Sequence, residues 1–223
     1  LFEIYSNLIF IEPSYKDIKK KYENETGDKY DERSLKEIYS DLKSENYVMT
    51  VFPFTHLEKK NNIFPLSGIS DSKTIFCNEN GYYALYNSDR YGFNNPDEEW
   101  DKKSIEYLLV GDSFTHGACV NRPDDIASVL RDLSKKSVLN LGYGGNGPLI
   151  EYAVLREYLR PNVKNVLWLY FEGNDLLNLK AESKNEILEK YFLDPNYSQN
   201  LKINQKNINK INFDRISSSF FDS

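Results

Sequence analysis

The sequence predicts an α/β domain built around parallel strands, and three observations carry that reading. Apolar runs recur at Ile105 with Tyr107–Val110, at Val138–Leu141 and at Asn165–Phe171. Each run stops at a turn of small or amide-bearing residues: Gly111-Asp112-Ser113, Gly142-Tyr143-Gly144-Gly145-Asn146-Gly147-Pro148, and Glu172-Gly173-Asn174-Asp175. Segments of helical periodicity separate the runs. Short apolar runs bounded by turns read as buried strands, and their alternation with helices implies a parallel sheet with helices on both faces.

In chain order, Leu1–Ile11 is apolar but short and carries Glu3. It reads either as an amphipathic first element or as the downstream end of a membrane helix, the latter on low polarity alone. Ser14–Asn24 is a lysine-rich surface helix capped by Ser14 and broken by Gly27-Asp28. Asp31–Asn46 is a stronger helix, with Leu35, Ile38, Tyr39 and Leu42 on one face and Ser34 and Glu37 at capping-box spacing. Asn46–Phe54 reads as extended, and His56, in a polar lysine-flanked stretch, is expected at the surface. Thr74–Cys77 and Tyr82–Tyr86 flank an Asn-Gly pair that supplies the positive φ of a tight hairpin. Asn87–Pro96 is turn-rich, and Asp97–Ser104 reads as a charged surface connection. A boundary near residue 100 divides an N-terminal α+β accessory region (1–100) from the strand–helix region (101–223).

Past Ser113, Pro123 fits a first helical turn with Asp124 and Asp125 at the positive end of the helix dipole. Ile126, Val129, Leu130 and Leu133 repeat at helical spacing, and Lys135 and Lys136 close that helix. A second helix is expected from Pro148 to Arg160, stopped by Pro161, and a third over Ser183–Phe192. The rest of the chain is Asn/Lys/Gln-rich and shows no clear strand.

Composition narrows the function classes. The chain has 223 residues, room for one good-sized domain or a domain with an accessory piece. It is 40% hydrophobic and 28% charged, an ordinary soluble profile, and its net charge of −6 argues against nucleic acid as the main partner. The 17 Tyr and 13 Phe suit a sugar-facing surface or simply a bulky core. Cys77 and Cys119 are too few for a disulfide scaffold; they form one bridge in an exported chain, but two buried free thiols are favoured. With no CxxC pair and no His-rich cluster, neither a metal nor a cofactor is expected.

The three turns each follow the carboxyl end of a parallel strand, so they can meet along one sheet edge. One offers a hydroxyl, Ser113; one offers backbone N–H groups, at Gly144 and Gly145; one offers a carboxamide, Asn174. A nucleophile beside fixed donors is the requirement of acyl transfer, in which the hydroxyl attacks an ester carbonyl and the donors hold the oxyanion. Taken alone, the Ser113 turn also fits a serine that merely caps a helix. Glycine-rich turns also fit a phosphate-binding module, but a P-loop lysine pattern is lacking and Asn174-Asp175 counts against it.

At these residues the sequence resembles the SGNH (GDSL-type) hydrolase superfamily over about Ile105–Leu179. GDSF matches the first block, with Ser113 as nucleophile. NLGYGGNGP matches the second, with Gly145 as the oxyanion glycine, and EGND matches the third, with Asn174 as the oxyanion asparagine. Glu172 stands where the family usually has glycine. The resemblance implies a three-layer α/β/α flavodoxin-like sandwich, here incomplete, with about three parallel strands. It implies a serine esterase or deacetylase acting on an acyl ester, with acetylated carbohydrate as a candidate. The alternatives are an O-acyltransferase of cell-envelope polysaccharide and a non-catalytic pseudo-enzyme or binding module. Asp112 and Asp175 are expected to orient or support rather than react. NSDRYGFNN looks like the "NS-x-GFR" segment preceding the hydrolase domain in many bacterial membrane-linked members, which points to the cell envelope and to anchoring upstream of Leu1.

The family's C-terminal Asp-x-x-His has no match here. The chain's histidines are His56 and His116. His116, three residues after Ser113, is expected to flank the pocket or cap the turn, since a base must reach Oγ at about 2.6–3.2 Å and have an orienting partner. A flavodoxin-type sheet has about five strands, so the expectation is a fragment of a longer protein that carries the last strands and the Asp/His pair.

Overall fold

The computed structural model describes residues 14–58 and 62–221, and Leu1–Ile11 lies outside them. The architecture is mixed α/β, with two small sheets and helices packed on them. Both expected caps close as capping boxes: Ser14 with Asp17 opens α1 (Tyr15–Thr26), and Ser34 with Glu37 opens α2 (Leu35–Leu42). The first sheet has the order β1 (Tyr47–Met49), β2 (Lys73–Ile75), β3 (Leu85–Asn87); β1 runs parallel to β2, and β2 antiparallel to β3. The β2–β3 pair is the expected hairpin. Its ladder extends to Cys77 and Ala84, and Gly81 closes the turn at a φ of +94°.

The second sheet has the order β5 (Val138–Asn140), β4 (Ile105–Gly111), β6 (Val163–Leu169), parallel throughout. The first strand of this unit is central, the second lies on one side and the third on the other. This is the reversal of strand order at which open α/β sheets place ligands. The faces of β4 alternate as its pleat requires. Leu108 and Val110 pack with Ile150, Ala153 and Val154 of α5 (Pro148–Tyr158). Leu109 packs on the other face with Ala127 of α4 (Ile126–Ser134) and with Val138. The same α5-side core takes in Phe64, Leu66, Phe93 and Trp100 from the first hundred residues.

Several expectations need correction. Asn165–Phe171 was expected to be buried on both faces, but β6 is an edge strand and Val166, Leu167 and Trp168 are about 40% exposed. Among the described residues only β4 pairs with it, and the apolar face of α4 stands open beside it at Ile126, Val129 and Leu133. The result is an apolar groove of about 660 Å³ between α4 and β6. Pro123 precedes α4 instead of starting it, because Asp125 supplies the cap by accepting from Ser128 N. Asp97–Ser104 is not simply superficial: a 3-10 turn over Asp97–Asp101 buries Glu99 and Trp100.

The polar C-terminal stretch holds α6 (Asp175–Glu182), α7 (Glu186–Leu193) and α8 (Gln205–Phe221). On α8 the buried face is Ile208, Asn212 and Ile216, spaced by four, with an amide between two isoleucines. Asn212 donates to Ser67 O (3.0 Å) and its Oδ1 meets His56 Nε2 (3.1 Å). His56 is therefore buried, not at the surface. It packs edge-on to Phe64 and under α8, contacts that its lysine-flanked sequence does not announce.

The outer edge of β5 is sealed by side chains. Glu99 Oε2 accepts from Val138 N (3.2 Å) and Arg131 Nε donates to Val138 O (2.9 Å). Asn95 does more. Its Oδ1 accepts from Asn140 N (2.8 Å) and its Nδ2 donates to Asn140 O (2.7 Å), so one carboxamide pairs with a strand residue as a neighbouring strand would.

Candidate functional site

The three turns come level at Gly111. Tyr143 N donates to Gly111 O (3.1 Å), which carries the β4–β5 alignment into the second turn. On the other side Gly111 stands in register with Leu169, the last residue of β6. Ser113, Gly145 and Asn174 thus leave neighbouring strands at one sheet edge. Further contacts tie the turns together. The rings of Phe114 and Phe171 meet edge to face at 5.5 Å. Glu182 of α6 accepts from Gly147, Leu149 and Ile150 N at 2.6–3.2 Å, replacing a local cap on α5.

Ser113 is the first residue of a four-residue helix, α3 (Ser113–His116), whose N-cap Asp112 accepts from Phe114 N (3.1 Å). The hydroxyl of Ser113 is half-buried and makes no hydrogen bond among the described residues. Gly145 adopts a φ of +73°, a left-handed conformation that glycine takes without penalty. Its N–H is uncommitted among the described residues. Gly144 differs from the expectation of two free N–H groups, because its N–H donates to His116 Nδ1 (3.1 Å). Asn174 opens α6 without capping it, and its buried Oδ1 has no partner among the described residues.

His116 is held inside the fold. Its Nδ1 accepts from Gly144, so Nε2 carries the ring proton and donates to Tyr86 OH (3.1 Å). The ring lies between Tyr143 and Phe76, at 4.3 and 4.1 Å between centroids. Burial pushes its pKa down to about 3, so it stays neutral at every ordinary pH. It braces the second turn against the hairpin and has no nitrogen left to serve Ser113.

Carboxyl groups gather beneath the turns. Burial raises Asp112, with Asp175 adding to the effect, and burial also raises Asp175 and Glu182. Glu151 of α5 is pushed up to about 8, first by burial and then by Asp175, Asp112 and Glu182. One of its oxygens accepts from Trp168 Nε1 (2.5 Å), and the other is buried without a partner. It is therefore a neutral acid at pH 7. Because its folded pKa lies above the ordinary 4.5, its contribution to stability is lost as pH rises from about 4.5 through 8. Glu151→Gln, a permanently neutral isostere, is expected to flatten that part of the profile. Urea midpoints at pH 5, 6.5 and 8 check this; an equal decline in variant and parent contradicts it.

The positioning residues absent from the sequence reading are Asp89, Asn94, Asn95 and Asn140. Asn94 Nδ2 donates to His116 O (3.0 Å), and Asn140 Nδ2 to Thr115 O (2.6 Å). Asp89 is fully buried and accepts from Tyr91 N, Phe93 N, Asn95 Nδ2 and Trp100 Nε1 at 2.7–3.0 Å. In sequence these residues read as turn formers. The one available signal is an acidic residue and two asparagines beside apolar Phe93. Cys77 and Cys119 are joined in a disulfide, which corrects the preference for free thiols; the hairpin end brings Cys77 to within 4.9 Å of Cys119, Cα to Cα.

Among the described residues, no group of three or more His, Cys, Asp or Glu could hold a metal ion, and no helix is long and apolar enough to cross a membrane. In comparisons with family models, curated proteins and solved structures, nothing matches this chain.

Proposed function

We propose that Ser113, Gly145 and Asn174 form the nucleophile and oxyanion-binding half of an SGNH-type serine esterase, on an incomplete three-layer sandwich. The substrate class is an acyl ester, with acetylated carbohydrate as its leading member. Ser113 Oγ attacks the carbonyl carbon, and the displaced electron pair settles on the carbonyl oxygen. Gly145 N–H and Asn174 Nδ2 donate to that oxyanion. Collapse expels the alcohol and leaves the acyl group on Ser113, from which water releases it. Transfer to a sugar hydroxyl in place of water would make the same site an O-acyltransferase.

One observation carries this reading. A hydroxyl, a backbone N–H and a carboxamide, each uncommitted among the described residues, stand on the three turns that leave one edge of a parallel sheet. The Cys77–Cys119 disulfide supports an oxidising compartment such as the cell envelope.

The proton of Ser113 needs an acceptor, and His116 is already committed. A positioned base contributes about 10²–10⁴ in rate, so residues 1–223 alone are expected to turn over activated esters slowly and to be accelerated by added imidazole. The second reading, a ligand-binding site without catalysis, is favoured by the burial of both histidines; no response to imidazole would select it. Asn174→Ala should lower kcat by about 10²–10³ with little change in KM, because an oxyanion donor acts on the transition state. A pure KM effect removes that role.

A further inference from the structure

We propose that the Cys77–Cys119 disulfide is a redox-sensitive latch holding the Ser113 turn against the β2–β3 hairpin. The inference stands whether or not Ser113 is a nucleophile, since it concerns what fixes the turn. Cys77 ends the hairpin ladder, bonded through its carbonyl to Ala84 N (2.9 Å). Cys119 lies two residues past Gly117, the left-handed cap of α3, in the irregular stretch before α4. It holds a φ of +58°, a conformation that residues with a Cβ disfavour.

The bond closes one side of a small apolar cluster in which Phe76, Ala84 and Tyr86 of the hairpin pack with Cys77 and Ala118. Around it, beside this packing and the seating of His116 on Phe76 and Tyr86, hydrogen bonds join the two segments. Asn80 Nδ2 donates to Cys119 O (3.2 Å), Leu85 N to Asn121 Oδ1 (2.8 Å), and Arg122 Nη2 to Asn87 O (3.1 Å). The disulfide is thus the covalent member of the contact, attached at the residue whose backbone conformation is least favoured. The hairpin side is anchored in a sheet; the 117–121 side has no regular structure of its own. Loosening falls on the side next to Ser113.

Access fits a reducible bond. Cys119 is buried, but Cys77 is half-buried, so a dithiol can attack the Cys77 sulfur. Its thiolate forms a mixed disulfide with Cys77 and displaces the Cys119 thiolate. The second thiol of the reductant then closes its own disulfide and releases Cys77. Two electrons pass from dithiol to protein, and both cysteines end as thiols.

The test compares the oxidised protein with the same protein held in dithiothreitol without denaturant. Alkylation and peptide mapping count the released thiols, and amide hydrogen exchange follows the backbone. The expected result is reduction under native conditions, with exchange over 113–121 faster by about tenfold or more while β4 and α5 keep their protection. Cys77→Ala combined with Cys119→Ala should show the fast exchange without reductant and ignore dithiothreitol. If that variant fails to fold, the oxidised and reduced forms of the unaltered chain decide the question. A disulfide that resists dithiol in the native state overturns the proposal, as does complete alkylation with unchanged exchange over 113–121. Either result leaves a permanent staple and does not bear on the esterase reading.

Discussion

Replacing Ser113 with alanine will abolish ester turnover, both the slow basal rate and the rate with added imidazole, and leave the fold intact. The two halves of that expectation have separate causes. Chemically, the proposed mechanism makes the Ser113 hydroxyl the attacking group, and its removal leaves that mechanism no acyl-enzyme route. Structurally, its side chain carries no hydrogen bond among the described residues, and α3 is capped by Asp112. Loss of a half-buried, unbonded hydroxyl changes stability by about 0.5 kcal/mol or less. Turnover of p-nitrophenyl acetate together with a urea melt checks both. Retained turnover removes Ser113 from the mechanism.

Asp89→Ala will be the most destabilising single change in the first hundred residues, by about 3–5 kcal/mol, since it strands several buried donors at once. Its carboxylate gathers two backbone N–H groups, the Trp100 indole and the Asn95 amide. Asn95 in turn completes the edge of β5 at Asn140, and Asn140 holds the carbonyl of Thr115 in α3. The loss therefore spreads from the NSDRYGFNN segment to the Ser113 turn. Asp89→Asn keeps one acceptor oxygen and should fall between parent and alanine variant. Denaturant midpoints measure the series; an Asp89→Ala midpoint within error of the parent contradicts this account.

The part of the fold legible in the sequence is the part governed by local rules. The strand runs, the two helix caps and the Asn-Gly hairpin are set by neighbouring residues and form close to where their spacing places them, the third strand starting two residues early at Val163. The edge position of β6 was not legible, because a run such as Asn165–Phe171 reports that a strand is apolar, not how many neighbours it has. Helix α8 was hidden for a related reason: the central residue of its buried stripe is Asn212, an amide that earns its place through bonds to Ser67 and His56, far away in sequence.

Within the candidate site, the common edge of the turns that carry Ser113, Gly145 and Asn174 was legible because turns after parallel strands share one edge by topology. The groups that fix them were not. Asn95 acts as a strand neighbour through a side chain, Glu182 caps α5 from another helix, and His116 serves as a buried brace. Each of these depends on a long-range contact that composition and periodicity do not encode. The raised carboxyls follow the same logic, since Glu151 becomes a neutral acid through its burial on α5 and, after that, the nearby Asp175 and Asp112.

The central claim is that Ser113 is a nucleophile served by donors at one sheet edge. The most direct measurement is labelling of the intact chain with a fluorophosphonate in the presence of imidazole, followed by peptide mapping. The account predicts one adduct, on Ser113, absent from Ser113→Ala and slowed in Asn174→Ala. An adduct on another residue, or an Asn174→Ala variant that labels at the parent rate, would contradict it.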